Sequence, residues 1–392
     1  MSGMSQRRLH IINASGSLLI PATALIVAPI LARSLGPLDR GLFSNDQALM
    51  LIASSLFGLG ISDSSAVKWA QWSPRSRSRL CVFNALSGCV IAILLASLLF
   101  IVRDPSPWEL ALVCVGGLAL AVAVHARGIA LNGKQLAAVG FEKWITSLGR
   151  LVLTVLLAAF GLLSVETGLA TIILPQCVGA VFLAFKTSGK VGDESRERIN
   201  RRSLAWMIGG GVAGVLLVHA DQAVLVAFIG PTELGYYSIA VTIAEVYTAA
   251  ARPFRDSALM ADSTSGLKRT IVVCILSLSG LSLAAAGVMW FAVPLIFGHD
   301  YSPAVVACYV MVIGGVAKGT GFLLNGVLSR TGHVLYRFGI TWLAVVVNLG
   351  AIPVFAQFGA TGAAIAATLG YMTLMIGGLP MAFRGAKQSL PS

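Results

Sequence analysis

Residues 36–44 read Gly-Pro-Leu-Asp-Arg-Gly-Leu-Phe-Ser, and residues 230–238 read Gly-Pro-Thr-Glu-Leu-Gly-Tyr-Tyr-Ser. The two stretches share both glycines, the proline and the serine at a spacing of 194 residues. Gly128-Ile-Ala-Leu-Asn-Gly133 returns as Gly321-Phe-Leu-Leu-Asn-Gly326 at 193, and Thr167-Gly-Leu-Ala170 returns as Thr361-Gly-Ala-Ala364 at 194. Three matches at nearly one offset in a chain of 392 residues point to an internal duplication.

Composition says what is duplicated. The chain is 57% hydrophobic and 11% charged, with a mean hydropathy of +0.85. A water-soluble domain carries about 25% charged residues, so this chain has too few to cover a surface facing water. Apolar runs recur along its length, each near the ~20 residues that an α-helix needs to cross a bilayer. They predict twelve transmembrane helices, at 11–34, 41–63, 79–102, 107–131, 145–165, 167–188, 203–229, 235–258, 268–297, 303–328, 335–358 and 360–383. The first basic residues are followed by an apolar run with no small-residue cleavage pattern, so the N-terminus reads as the first span rather than a signal peptide.

The net charge of +12 does not indicate a nucleic-acid partner, because the basic residues sit in short loops between apolar runs. With a cytoplasmic N-terminus, 24 of the 28 Lys and Arg fall on the cytoplasmic side. Only Arg33, Arg40 and Arg103 fall outside, and Lys318 lies within a helix. That asymmetry is the positive-inside pattern, and it puts both termini in the cytoplasm. Trp69, Trp72, Trp108, Trp144, Trp206 and Trp290 fall near helix ends, at the headgroup level that an indole prefers. The polar run 189–202 then becomes a cytoplasmic linker between a six-helix lobe, 1–188, and a second, 203–392. An even number of helices per repeat gives both lobes one orientation, related by an axis along the membrane normal, with a substrate path between them.

Two nucleotide-binding patterns fail on context. Gly128 to Gln135 approaches a P-loop, but Gln135 replaces the magnesium-binding hydroxyl and the stretch ends a membrane helix. Gly209-Gly-Gly-Val-Ala-Gly214 has dinucleotide-site spacing without a preceding strand, and reads as a packing or bending site. With no ATP site, transport needs an ion gradient, the membrane potential or substrate flux. The six cysteines, Cys81, Cys89, Cys114, Cys177, Cys274 and Cys308, all lie in apolar runs without metal or redox spacing. They read as small core residues, and no cofactor or metal is expected.

Ionisable groups inside membrane spans are costly and are usually paired or functional. Asp46, His219, Asp221 and Glu245 form the expected ion-coupling set. His219 and Glu245 fall at one depth, about ten residues or ~15 Å from the outer helix ends. That depth suits a protonatable pair, the alternative being a purely structural role in fixing helix register. Asp46 is near enough to the outer interface to be hydrated. Lys318 is the one lysine deep in a helix, flanked by small residues, and reads as facing a wet cavity. An anionic substrate would explain it, and a salt bridge to Glu245 is the competing account. Arg127, Arg252 and Arg255 rim the cytoplasmic mouth, and with Lys318 and Asn325 complete the expected substrate-binding set. Pro21 and Pro29 interrupt the first helix and, with Gly16, make it the expected bending gate.

Arg33-Ser-Leu-Gly-Pro37 with Gly41, Gly58-Leu-Gly60, Arg127-Gly128 with Asn132-Gly133, and Asp221 followed by Gly230-Pro231 and Gly235-Tyr-Tyr-Ser238 resemble the Wzx-type polysaccharide flippases. Those proteins belong to the multidrug/oligosaccharidyl-lipid/polysaccharide (MOP) exporter superfamily. The resemblance spans nearly the whole chain and implies an all-α fold of two six-helix lobes around a central cavity. It implies no enzyme activity, but alternating access in the bacterial inner membrane. The implied substrate is an undecaprenyl-pyrophosphate-linked oligosaccharide, the repeat unit of O-antigen, capsule or exopolysaccharide. A polysaccharide polymerase and a chain-length regulator are the implied protein partners. The chain is short for that family and has few cavity cations beyond Lys318. An ion-coupled multidrug exporter, also with twelve helices, and a non-transporting scaffold of a glycan assembly complex are the other readings. A polymerase would want a large periplasmic loop, which the sequence lacks.

Overall fold

The computed structural model describes residues 6–58, 105–132, 135–187, 201–260 and 264–388. The expected helix 79–102, most of the linker 189–202, and Cys81, Cys89 and Arg103 lie outside the described residues. Nine continuous helices account for nearly all the described residues. They are α1 (Gln6–Gly58), α2 (Pro107–Asn132), α3 (Leu136–Ala159), α4 (Val165–Thr187), α5 (Arg201–Met260), α6 (Thr264–Phe297), α7 (Ala304–Arg330), α8 (Val334–Phe355) and α9 (Gly359–Gln388). Among the described residues, seven apolar stretches are long enough to cross a membrane, including Leu18–Ser55 with 38 residues and Gly209–Ala258 with 50. At 1.5 Å per residue, a 50-residue stretch is ~75 Å long, more than twice a ~30 Å hydrocarbon core. The chain is a multi-pass membrane protein.

The two longest helices each break at one residue. Gly36 has φ 72° and ψ 173°, and Gly230 has φ 79° and ψ 167°. These are the repeat-equivalent glycines of the duplicated motif. A positive φ of this kind is open to glycine and strained for other residues. The next residue, Pro37 or Pro231, has the φ of a first helical position and no N–H to satisfy, so the helix restarts at once. The expected loops 35–40 and 230–234 are therefore helical except at the glycine.

One helix is displaced from its expected place. The span expected at 145–165 is α3, Leu136–Ala159. Glu142, in its first turns, is buried against Arg127, which lets a carboxylate sit inside the span. The helix ends at Gly161, φ 67°. Ser164 and Thr167 then cap α4 reciprocally, Thr167 Oγ1 accepting from the Ser164 N–H at 2.8 Å and Ser164 Oγ from the Thr167 N–H at 3.3 Å.

The chain forms two compact units, Met1–Leu35 with Asn45–Val215, and Gly36–Ser44 with Leu216–Ser392. All three points where the chain passes from one unit to the other fall inside long helices, two in α1 and one in α5. In the first unit α4 packs on α2 and α3 through small residues, with Gly116 against Ile173 and Gly149 against Pro175. In the second unit α7 is the central element and α6 a peripheral one, their apolar spans being 67% and 17% buried. Glycines let α7 take this place. Gly321 admits Leu374 of α9, while Gly315 and Gly319 take Tyr247 of α5. Cys274 and Cys308 are buried, Cys114 and Cys177 half-buried.

Candidate functional site

Tyr247 fixes how closely α5 approaches α7. Its ring covers Gly315, and a Cβ at Gly319 would come within 2.8 Å of its carbonyl oxygen. Ser282 Oγ holds the Tyr247 hydroxyl at 3.1 Å and donates to the Val312 carbonyl at 2.9 Å, tying α6 into the same contact. This packing brings Glu245 to Lys318, whose Nζ donates to Glu245 Oε1 at 2.5 Å. The ammonium also stands 5.3 Å from the centroid of the buried Tyr371 ring on α9, within cation–π range.

The pair is lopsided. The Lys318 side chain is 5% exposed, whereas that of Glu245 is 47% exposed. The Glu245 side chain is the open member of the pair and the Lys318 side chain the covered one. Lys318 therefore follows the competing account in its ground state, a salt bridge to Glu245. Glu245 bonds to Lys318 rather than to His219, which joins the pair only at electrostatic range. The expected His219–Glu245 pair is corrected accordingly: the longer, always-donating lysine reaches the carboxylate from α7.

Asp221 is 1% exposed. Its Oδ1 accepts from the Gln222 N–H at 2.7 Å and its Oδ2 from the hydroxyl of Tyr237, which is fully buried. That second bond spans the Gly230 break and ties one arm of α5 to the other. Asn348 Nδ2, on α8, donates to the Leu217 carbonyl at 3.4 Å, one turn before Asp221. Neither Tyr237, Tyr371 nor Asn348 was among the expected site residues. Tyr237 carries a signal in hindsight, since it belongs to the duplicated motif.

Arg252 lies within electrostatic range of Glu245. Arg255 stacks its guanidinium 4.5 Å from the centroid of Phe322, beside Gly326. Asn325, on the same turn of α7, accepts from Thr341 Oγ1 at 3.5 Å. Arg255 and Asn325 thus meet around one stretch of α7. Arg127, in the first unit, is held by Glu142 in a two-pronged pair, Nε to Oε2 at 2.9 Å and Nη2 to Oε1 at 2.6 Å. Glu142 is fully buried, and its guanidinium partner fixes α2 to α3.

Asp46 is fully buried rather than hydrated at an interface. The second arm of α1 starts at Pro37 without a loop, so Asp46 lies nine residues or ~14 Å along a helix. The backbone runs helically through Pro21 and Pro29. The break in α1 is Gly36, and neither proline interrupts the helix. Gly16 is a close-packing point, where a Cβ would come within 2.8 Å of the Gly140 carbonyl oxygen.

A family model described as polysaccharide biosynthesis protein matches residues 10–260. The chain belongs to that family. Solved structures give its fold a wider setting. A MATE-family multidrug resistance transporter of the MOP superfamily, in an inward-facing conformation, superposes with a TM-score of 0.64 at 14% identity, over 97% of this chain and 99% of that one. The lipid II flippase MurJ, in an inward closed conformation, gives 0.68 at 11% identity, over 95% and 87%. A MOP-superfamily transporter from Pyrococcus furiosus gives 0.56 at 15% identity, over 97% and 95%. At these identities the likeness establishes the fold alone, one that the chain shares with these transporters. A comparison with curated protein sequences finds no match.

Proposed function

We propose that this family member is a flippase rather than an enzyme. It carries an undecaprenyl-pyrophosphate-linked oligosaccharide from the cytoplasmic to the periplasmic leaflet of a bacterial inner membrane, with both termini cytoplasmic. Its product feeds O-antigen, capsule or exopolysaccharide assembly, through a polymerase and a chain-length regulator. The observation that carries the reading is the lopsided Lys318–Glu245 pair in a polysaccharide-biosynthesis chain. A lysine inside a membrane span needs a partner to offset a cost of ~2.5–3.5 kcal/mol. Glu245 is that partner at rest, and it is the member open to approach. A pyrophosphate arriving from the exposed side takes over the ammonium, and Glu245 reclaims it when the substrate leaves. Arg252, Arg255 and Asn325 supply further contacts to the anionic head. Asp221, His219 and Asp46 are the groups proposed to couple transport to an ion.

The test is deletion of the gene with complementation by variants. Loss of the protein is expected to leave lipid-linked repeat units on the cytoplasmic leaflet and to remove surface polysaccharide. Lys318→Arg restores part of it, and Lys318→Ala does not, although the protein stays in the membrane. Normal surface glycan with Lys318→Ala refutes the substrate role of the lysine. Intact glycan in the deletion, with increased sensitivity to cationic drugs, favours a multidrug exporter instead.

A further inference from the structure

Residue 40 is a core position in both copies of the duplicated motif. Its equivalent in the second copy is Leu234, 0% exposed, and Arg40 is itself 5% exposed. The next residue, Gly41, packs closely: a Cβ there would collide with the carbonyl of Pro231, and one at the equivalent Gly235 with the carbonyl of Pro37. Leucine fills such a place with apolar contact alone. Arginine brings to it a permanent charge and a planar fork of N–H donors.

The surrounding protein does not answer that charge. Nε and Nη1 of Arg40 are enclosed and make no hydrogen bond to any described residue. Among the described residues the guanidinium has no ion-pair partner either. Aromatic rings stand where a carboxylate would. The guanidinium carbon lies 5.2 Å from the centroid of the Phe43 ring, one turn on, and Tyr301 faces it at electrostatic range. Tyr301 is 1% exposed and sits in the short connection between α6 and α7, with the Tyr236 ring edge-on at 6.1 Å. The acidic groups of this region are occupied with other partners. Glu233 Oε2 accepts from the Ala360 N–H at 2.8 Å, and Asp300 acts on Tyr236 and Tyr301. All of these residues belong to the second unit.

A cation–π contact is weaker than the hydration a guanidinium loses on burial, so the rings do not offset the cost. A neutral acceptor satisfies one nitrogen and leaves the charge. An oxyanion does both, and its paired oxygens match adjacent N–H groups of the fork. Nη2 is not enclosed with Nε and Nη1, and that is the side from which an oxygen approaches. The depth also suits a phosphate. Arg40 lies four residues, ~6 Å, past the helix break at Gly36. Tyr301 lies between two spans, so the guanidinium stands near headgroup level on the face opposite the N-terminus. We propose that Arg40 is the centre of a phosphate-class oxyanion site on that face. The phosphate of a lipid headgroup and free inorganic phosphate share this chemistry. The site needs no transported substrate, so it stands or falls apart from the oligosaccharide reading.

The test uses the purified full chain, stripped of lipid in detergent, heated in steps and scored for the fraction that remains monodisperse. One series adds phosphatidylglycerol; a second adds inorganic phosphate, with chloride keeping the ionic strength constant. Arg40→Leu installs the residue of the equivalent position and is expected to need about tenfold more of the effective probe for equal protection. Arg40→Lys keeps the charge without the fork and should fall between the two. Arg33→Leu removes an exposed arginine of the same face and controls for net charge, so its response should stay within about twofold of the native chain. Protection by the lipid alone, lost in Arg40→Leu, supports the site and identifies a headgroup as its ligand. Protection by inorganic phosphate, lost in the same variant, supports the site and identifies the free anion. Protection that Arg40→Leu leaves unchanged overturns the proposal, as does a native chain that neither probe protects. An equal loss in Arg33→Leu overturns it too, because net charge would then account for the effect. Should Arg40→Leu not accumulate in the membrane, Arg40→Lys decides, and a response equal to that of the native chain refutes the site.

Discussion

Neutralising either end of the Lys318–Glu245 pair removes the same ion pair, yet the two changes should differ in cost. Lys318→Met keeps the aliphatic stem and leaves Glu245 alone, with a side chain that is 47% exposed. Water can solvate that carboxylate, so the loss falls toward the about 0–1 kcal/mol of an exposed pair. Glu245→Gln instead leaves an ammonium on a side chain that is 5% exposed. Stranding a buried charge costs about 3–5 kcal/mol, and the neutral amide recovers part of it. The expected difference is about 2 kcal/mol, with Glu245→Gln the less stable. Purified protein in detergent, heated in steps and scored for the fraction that remains monodisperse, reads the order of the two midpoints. The double variant Lys318→Met with Glu245→Gln should recover most of the lost stability, because no charge is left stranded. Equal losses, or a larger loss for Lys318→Met, would show that Glu245 is not the hydrated partner, and the account of an anion displacing it would fall.

Three further outcomes are expected. Arg127→Met strands the fully buried Glu142 and should cost about 3–5 kcal/mol, more than Glu142→Gln, which leaves an arginine side chain 26% exposed; the same heating assay reads the order, and the reverse order contradicts it. Tyr237→Phe removes one donor to the Asp221 carboxylate and should destabilise by about 1.5–3 kcal/mol, so an unchanged midpoint would show that the hydroxyl does not hold Asp221. Gly36→Ala and Gly230→Ala should each cost about 1–3 kcal/mol through backbone conformation alone, because a positive φ with ψ of 173° or 167° is open almost only to glycine; asparagine should cost as much as alanine, and a clearly milder asparagine would contradict that cause.

The fold was legible where sequence punctuation and physics agree. Gly-Pro at 36–37 and 230–231 marks both the repeat and the helix break, because the same residue types serve both. The site was legible where a charge stands in an apolar run, which singled out Lys318, Glu245, Asp221 and His219. Pairing was legible only as alternatives, since hydrogen-bond partners depend on side-chain reach across helices: His219 matched Glu245 in depth, and Lys318, the other candidate partner, took the bond. Tyr371 and Asn348 gave no signal, because a tyrosine or asparagine in an apolar helix is read as ordinary content until its neighbours are known. Glu142 gave none either, because its pairing with Arg127 across two helices is not visible in residue spacing.

The exchange of short segments between the two units bears on how the chain is made. The seat for residues 36–44 includes Pro231 and Gly235, which leave the ribosome some 190 residues later. A nascent first unit must therefore sit in the bilayer with that turn unpartnered until α5 has been inserted. The entropy of closing so long a loop rises only about 0.6 kcal/mol per doubling of its length, so the delay weighs little on final stability. It weighs on biogenesis. The turn at 36–44 belongs to the second unit and cannot be seated until that unit is made, so a chain truncated before residue 230 would present an unseated turn to the membrane's quality-control proteases.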